Sequence, residues 1–201
     1  MSSPDDNLLA LDVACRHDIP DLVALSRDAL PTYGPLHDED YWRSSHRFGG
    51  GVHHLDNYTQ VVRTNDGALV GFVWVDAASW QDHGFEEPWW CVNAVAVAEQ
   101  YRGLGVGRQL ISHVVDRAKA VGVACIYGLS VPSAIPFWEA CGVTIAAPGE
   151  SLVSDKPARI RGHEPKIVEF DTSNEDRFFV GNLMPPGAQA QLVPKSFLDA
   201  P

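Results

Sequence analysis

Residues 97–108 read Val-Ala-Glu-Gln-Tyr-Arg-Gly-Leu-Gly-Val-Gly-Arg, with glycine at every second place from 103 to 107. An apolar run, Val92 to Ala98, precedes this stretch, and a segment of helical spacing, Val106 to Val121, follows it. A glycine-rich turn that opens a helix points several unpaired backbone N–H groups at one spot, where the positive end of the helix dipole also lies. Such a place holds a phosphate or pyrophosphate, because no side chain keeps the anion away from the backbone. Two better-known phosphate loops do not fit. No Gly-Lys-Ser/Thr ending is present, and Gly103-x-Gly105-x-Gly107 lacks the G-x-G-x-x-G spacing and its acidic residue about 20 positions on. The plain alternative is a tight strand-to-helix turn with no ligand.

The 201 residues fit one domain with an appendage, and 45% hydrophobic content is enough for a packed core. A net charge of −11 argues against general binding to nucleic acid or anionic membranes. It favours a cationic partner such as an amine, although acidity also serves solubility. An anionic cofactor stays compatible, since backbone amides and one or two arginines make a local positive site. The polar start, Met1 to Asn7, does not read as a signal peptide, and no apolar run is of membrane-spanning length. A cytoplasmic protein is expected. Cys15, Cys91, Cys125 and Cys141 are scattered without a C-x-x-C pair, so they read as free thiols rather than as disulfides or metal ligands.

Along the chain, Leu8 to Cys15 reads as a first strand. Asp18-Ile19-Pro20-Asp21 starts a helix, with Asp18 as cap, and Pro31 ends it. Residues 31–57 are irregular, with a short helix within 37–47 and a glycine hinge at 49–51. Tyr58–Arg63 and Ala68–Ala77 are strands joined at the Asn65-Asp66-Gly67 turn, an antiparallel pair. A loop over 79–88 leads to a fourth strand, Trp89–Ala98. The helix Gly107–Val121 presents one apolar face and stops at Gly122. Val123–Leu129 is a fifth strand, parallel to the fourth because a helix connects them. Ser133 caps a short helix, Ala134–Cys141, and Val143–Ala146 begins a sixth strand. Lys166–Phe170 and Arg177–Leu183 are strand-like, and one of them is expected to pair with the sixth strand. The organisation is a core over 1–147 and a proline-rich extension over 148–201 that completes the sheet and packs on the core. The alternative for the extension is a disordered tail, against which its phenylalanines argue.

The pattern Arg102-x-x-Gly105-x-Gly107 after an apolar strand resembles the acyl-CoA-binding motif of the GNAT superfamily of N-acetyltransferases. The element order matches that fold over residues 8–147, an α/β fold with a mixed sheet of six to seven strands and about four helices. The resemblance implies acetyl-CoA, or another acyl-CoA, as co-substrate, with no metal. It also implies an amine of a small molecule or peptide as acceptor; the expectation of no nucleic-acid or membrane partner comes from the acidic charge and the absence of a long apolar run. The extension leaves a homodimer open.

Acyl transfer from a thioester to an amine requires the cofactor to be held, the carbonyl polarised, the amine deprotonated and the thiolate stabilised. For holding, Gly103, Leu104, Gly105, Val106, Gly107 and Arg108 supply backbone N–H groups, and Arg102 and Arg108 add charge. The resemblance implies further contacts from Val95 and Val97, where the fourth and fifth strands splay and an amide near Val95 polarises the thioester. For proton removal, strand alternation puts Glu87, Trp89, Cys91, Asn93 and Val95 on one face. The resemblance implies a carboxylate base at the start of the fourth strand, which makes Glu87 the first candidate, with Glu86, His83 and Asp82 behind it; the Glu86-Glu87 pair also reads as solvated loop. Asn93 orients a water or satisfies backbone groups at the splay.

The second family motif has Asn-x-x-Ala followed by a Tyr-Glu-x-x-Gly-Phe ending. Here the matching residues are Val131, Ala134, Phe137, Trp138, Glu139, Gly142 and Val143. Trp138 thus stands where the general-acid tyrosine is expected. An indole N–H donates a hydrogen bond but does not give up its proton. A thiolate whose conjugate acid has a pKa of about 8.5 leaves without help near neutral pH, so the change slows transfer without forbidding it. Trp138 closes the pocket on the acyl group or packs the core. His46, His53 and His54 lie in the acceptor region as a lid or as idle surface groups. Tyr33, Tyr41, Trp42, Trp80, Trp89 and Trp90 offer cation–π contacts or a second core. Three functions compete: an acyl-CoA-dependent N-acyltransferase, a non-catalytic protein that binds CoA, and transfer from an acyl carrier or aminoacyl donor.

Overall fold

A computed structural model describes residues 9–43, 48, 57–77, 88–154, 176–183 and 190–194. Its strands are β1 (Ala10–Val13), β2 (Tyr58–Arg63), β3 (Leu69–Asp76), β4 (Trp89–Val97), β5 (Cys125–Ser130), β6 (Thr144–Ile145), β7 (Glu150–Ser154), β8 (Arg177–Asn182) and β9 (Ala190–Pro194). Its helices are α1 (Ile19–Ala29), α2 (Glu39–Arg43), α3 (Val106–Ala120) and α4 (Ile135–Ala140).

Seven strands form one mixed sheet in the order β1-β2-β3-β4-β5-β8-β6, and β7 pairs with β9 in a separate ribbon. Every neighbouring pair is antiparallel except β4 and β5, which α3 connects. The hairpin turn between β2 and β3 is closed by the Gly67 N–H on the Thr64 carbonyl at 2.9 Å, and the Thr64 hydroxyl donates to the Asp66 carboxylate. Of the two strand-like segments late in the chain, Arg177–Asn182 enters the sheet between β5 and β6; Lys166–Phe170 lies outside the described residues.

The sheet separates its cores by strand parity. Val73, Val75, Trp90 and Val92 point to the side of α3, against Leu110, Ile111, Val114 and Ala118, which lie on one face of that helix. Phe72, Trp74, Ala94 and Ala96 point to the side of α1 and α2, against Leu22, Leu25 and Trp42. Trp89, Cys91, Tyr127 and Phe178 make a third core with Leu152 of β7 and Ala190 of β9. Asn182 ties the ribbon to the sheet: its side-chain amide donates to the Ala190 carbonyl at 3.1 Å and accepts from the Ala190 N–H at 2.9 Å.

Two expected caps are corrected. Asp18 precedes α1 but makes no side-chain bond to it. Its carboxylate instead accepts from the Cys15 N–H at 2.8 Å and pairs with Arg63 of β2 at 2.6 Å, so a tertiary ion pair outcompetes the local cap. Ser133 sits inside a 3₁₀ turn, Pro132–Ala134, and α4 starts after Ala134 without a side-chain cap.

Burial opposes ionisation of Asp18, but the Cys15 amide and the Arg63 guanidinium outweigh it and hold the carboxyl below its ordinary 3.8. A lowered folded-state pKa contributes stability above the unfolded value and loses it as pH falls through the folded one. Asp18→Asn is therefore expected to cost about 2 kcal/mol near pH 7. The difference from the parent should begin to shrink as pH drops below about 4 and vanish only below the lowered folded-state value; urea unfolding across this pH range checks this.

Candidate active site at the parting of two strands

Strand β4 follows β3 along its length, from Cys91 opposite Asp76 to Val97 opposite Gly71. It follows β5 for three residues only, Trp89, Trp90 and Cys91 against Cys125, Ile126 and Tyr127. Beyond Cys91 the strands part, and β5 continues to Ser130 along β8. Two features sit at that vertex. The β3–β4 register shifts where Trp74 faces Ala94 and Val75 faces Val92, so Asn93 is the extra residue of a bulge. Across the gap is Gly128, where a Cβ would lie 2.6 Å from the Val92 carbonyl oxygen.

The bulge corrects the expectation that Val95 shares the face of Trp89 and Cys91, whereas Asn93 stays in side-chain contact with Cys91. Val95 and Val97 pack with Val92 on the α3 side, while Ala94 and Ala96 take the α1 side. The backbone past the bulge has a definite direction. The Ala98 N–H donates to Val70 of the β3 side at 2.9 Å. Alternation then turns the polar groups of Val97 and Val95 toward the gap. Arg102 agrees with this, since its Nε donates to the Val97 carbonyl at 3.0 Å.

The glycine-rich turn closes this gap at its wide end. A 3₁₀ turn, Glu99–Tyr101, leads into Arg102, whose bond to Val97 ties the turn to the strand end. Gly105 is the residue before α3 and has φ +87°, a left-handed conformation that glycine adopts without strain. The Gln109 N–H reaches back to the Gly105 carbonyl at 2.9 Å. The N–H groups of Val106, Gly107 and Arg108 precede that first helical bond, and no side chain caps the helix. Val106 buries its side chain in the core, whereas Leu104, Arg102 and Arg108 are exposed. Gly107 has a packing reason: a Cβ there would lie 2.8 Å from the Phe137 ring of α4.

Asn93 is half-buried at the vertex, and its Oδ1 accepts from the Cys91 thiol at 3.5 Å. Burial pushes that thiol up to about 12; the Asp76 carboxylate adds to the effect and a hydrogen bond with Tyr127 opposes it. Burial also raises Cys125 and Cys141, so none of these three is a nucleophile near neutral pH. Asp76 and Tyr127 were not singled out in the sequence; the strand register that brings them to Cys91 could have found them.

Trp138 of α4 is buried and stacked on Phe179 of β8, with ring centroids 3.7 Å apart. Phe137 meets its edge at 4.9 Å. Val131, in the family's asparagine position, is 47% exposed and so is not a core residue. The aromatic group divides among the cores. Trp42 donates to the Leu36 carbonyl at 3.0 Å and packs against Phe72 and Trp74. Trp90 meets Tyr58 on the opposite side of the sheet, and Trp89 meets Tyr127. Glu87, Glu86, His83, Asp82, His46, His53, His54 and Trp80 lie outside the described residues. Among the described residues no three His, Cys, Asp or Glu side chains group as metal ligands, and no helix is long and apolar enough to cross a membrane.

Alanine at position 107 should gain about 1 kcal/mol of helix propensity but lose about 1–3 kcal/mol to overpacking against Phe137. Gly107→Ala is thus expected to destabilise the parent and to do so less in a Phe137→Leu background. A urea-unfolding double-mutant cycle measures the difference.

The fold recurs in solved acetyltransferases. The ribosomal-protein-S18-alanine N-acetyltransferase of Escherichia coli superposes with a TM-score of 0.59 at 15% identity, covering 90% of this chain and 97% of that one. Ard1 of Thermoplasma volcanium gives 0.60 at 15% identity, covering 88% and 99%. A Salmonella typhimurium protein solved with its cofactor acetyl-CoA gives 0.56 at 15% identity, covering 90% and 98%. Residues 20–143, most of the chain and including β4, β5 and the glycine-rich turn, match the family model described as "Acetyltransferase (GNAT) family", and the chain belongs to that family.

Proposed function

We propose that this protein is an N-acyltransferase that moves an acetyl group from acetyl-CoA directly to an amine of a small molecule or peptide in a ternary complex. The observation that carries this reading is the open strand edge at Val95 and Val97 running toward the uncapped start of α3. On this reading the N–H groups from Gly103 to Arg108 hold the pyrophosphate, with Arg108 adding charge. The Val95 and Val97 backbone pairs with the pantetheine arm as an added strand would. The Val95 N–H then polarises the thioester carbonyl beside Asn93. The thiolate leaves unprotonated, as Trp138 cannot act as the acid. Residues 148–201 work with residues 1–147 as one unit, because β8 completes the sheet beside β5.

The alternative of a CoA-binding protein without turnover rests on Trp138, whose ring is committed to the stack on Phe179. One assay separates the two. The full chain is mixed with acetyl-CoA and a pool of primary amines while free thiol is followed. Amine-dependent thiol release is expected; thermal stabilisation by CoA with no release across the pool would establish the alternative instead. Gly105→Glu is expected to abolish stabilisation by acetyl-CoA. Left-handed strain of about 1–2 kcal/mol lowers its own melting temperature by only a few degrees. Retained stabilisation by acetyl-CoA in that variant would overturn the assignment of the turn.

A further inference from the structure

The acyl-transfer reading leaves the acceptor's proton without a destination among the residues that hold the cofactor. The face of the sheet opposite α3 supplies one. Along β3, Val73, Val75 and Ala77 lie with the α3 core while Phe72 and Trp74 lie on the other side, so Asp76 alternates to the side of Trp74. Its cross-strand partner is Cys91, and the partner of Cys91 on β5 is Tyr127, the last pair before the strands part. Cys91 and Tyr127 belong to the core on that same side. The Cys91 thiol touches the Asn93 amide at 3.5 Å, which brings the bulge to this face as well. Asp76, Asn93 and Tyr127 therefore surround the vertex from three strands, on the side away from the glycine-rich turn. Asp76 is half-buried, unlike Tyr127, which is fully buried. Diagonal neighbours on one face lie about 7–8 Å apart, within reach of each other's side chains.

We propose that Asp76 is the carboxylate that receives the proton of the attacking amine. This rests on the acyl-transfer reading above. In the step, the amine nitrogen forms a bond to the thioester carbonyl carbon, which makes that nitrogen cationic and acidic. Its proton passes to the Asp76 carboxylate, directly or through one water, and then to solvent. The C–S bond breaks, and its electron pair leaves with the thiolate, which takes a proton from water. Amine and acetyl-CoA become amide and CoA thiol, with nothing else consumed. An acceptor that arrives as an alkylammonium ion first gives one proton to water, and the neutral amine then attacks. The Cys91 thiol stays neutral between Asp76 and Asn93, since burial raises it.

The test compares the parent with Asp76→Asn, Asp76→Ser and Glu87→Gln, using acetyl-CoA and an amine found by the thiol-release assay. Asp76→Asn is expected to lower kcat by about 100-fold or more. Its KM for acetyl-CoA and its thermal stabilisation by acetyl-CoA should match the parent, which also shows that it folds. Formate is expected to restore part of the kcat of Asp76→Ser, a response that a structural role would not produce. A kcat for both Asp76 variants close to the parent's overturns the proposal while leaving the acyl-transfer reading intact, as does a comparable loss confined to Glu87→Gln. A parent that releases no thiol with any amine removes the acyl-transfer reading itself, and this proposal falls with it.

Discussion

The early parting of β4 from β5 is the constraint on which the rest depends. Backbone N–H and C=O groups inside a sheet need partners, and an edge left open mid-sheet is costly unless water or another extended chain satisfies it. Here β4 keeps its full ladder with β3 and gives up most of its ladder with β5. Three features keep that state in place. The bulge at Asn93 bends β4 at the point where pairing stops. Gly128 lets the two backbones approach at the vertex, where a side chain would strike the Val92 carbonyl. On its other side β5 is held by six residues of β8, so it does not slide back to close the gap.

Most of the fold was legible because its elements obey local rules. The alternation of β2 and β3, the Asn65-Asp66-Gly67 turn and the 3.6-residue spacing of α3 fix those elements to within a residue or two. What stayed hidden needed information from elsewhere in the chain. Residues 89–98 are apolar almost throughout, so nothing in their order marks Asn93 as an extra residue, and a one-residue slip reverses every face assignment beyond it. Asp18 looks like a helix cap until Arg63 arrives from β2. Asp76 is an ordinary acidic residue at a strand end until the register sets it opposite Cys91. The glycine-rich turn was readable in advance because its requirement is local: a left-handed residue and an uncapped helix start.

Trp138 joins the motif departure to the geometry of the gap. Its ring stacks on Phe179, and Phe179 in turn lies against Gly128, where a Cβ would come within 2.6 Å of that ring. On the other side of Trp138, Phe137 fills the space left by Gly107 at the start of α3. One row of aromatic rings thus runs from the uncapped helix end to the vertex of the two strands. A smaller phenol in place of the indole would give up part of that stack, and stacked aromatic pairs contribute about 0.5–1.5 kcal/mol beyond their burial. Trp138, at the position where the resemblance expects the acid, is thus part of the packing that links these two points.

That division has a consequence for how the proposed reaction is catalysed. A thiolate is a good leaving group near neutral pH, so an acid at position 138 is the most dispensable of the four requirements. Positioning is not dispensable, because a displacement of an ångström between nucleophile and carbonyl costs about 100-fold in rate. On the proposed reading, an aromatic stack at this position preserves the alignment while the leaving thiolate needs no donor. The proposed reaction then uses backbone N–H groups for the oxyanion and a carboxylate on the opposite face for the amine's proton, the role proposed for Asp76 across from Cys91.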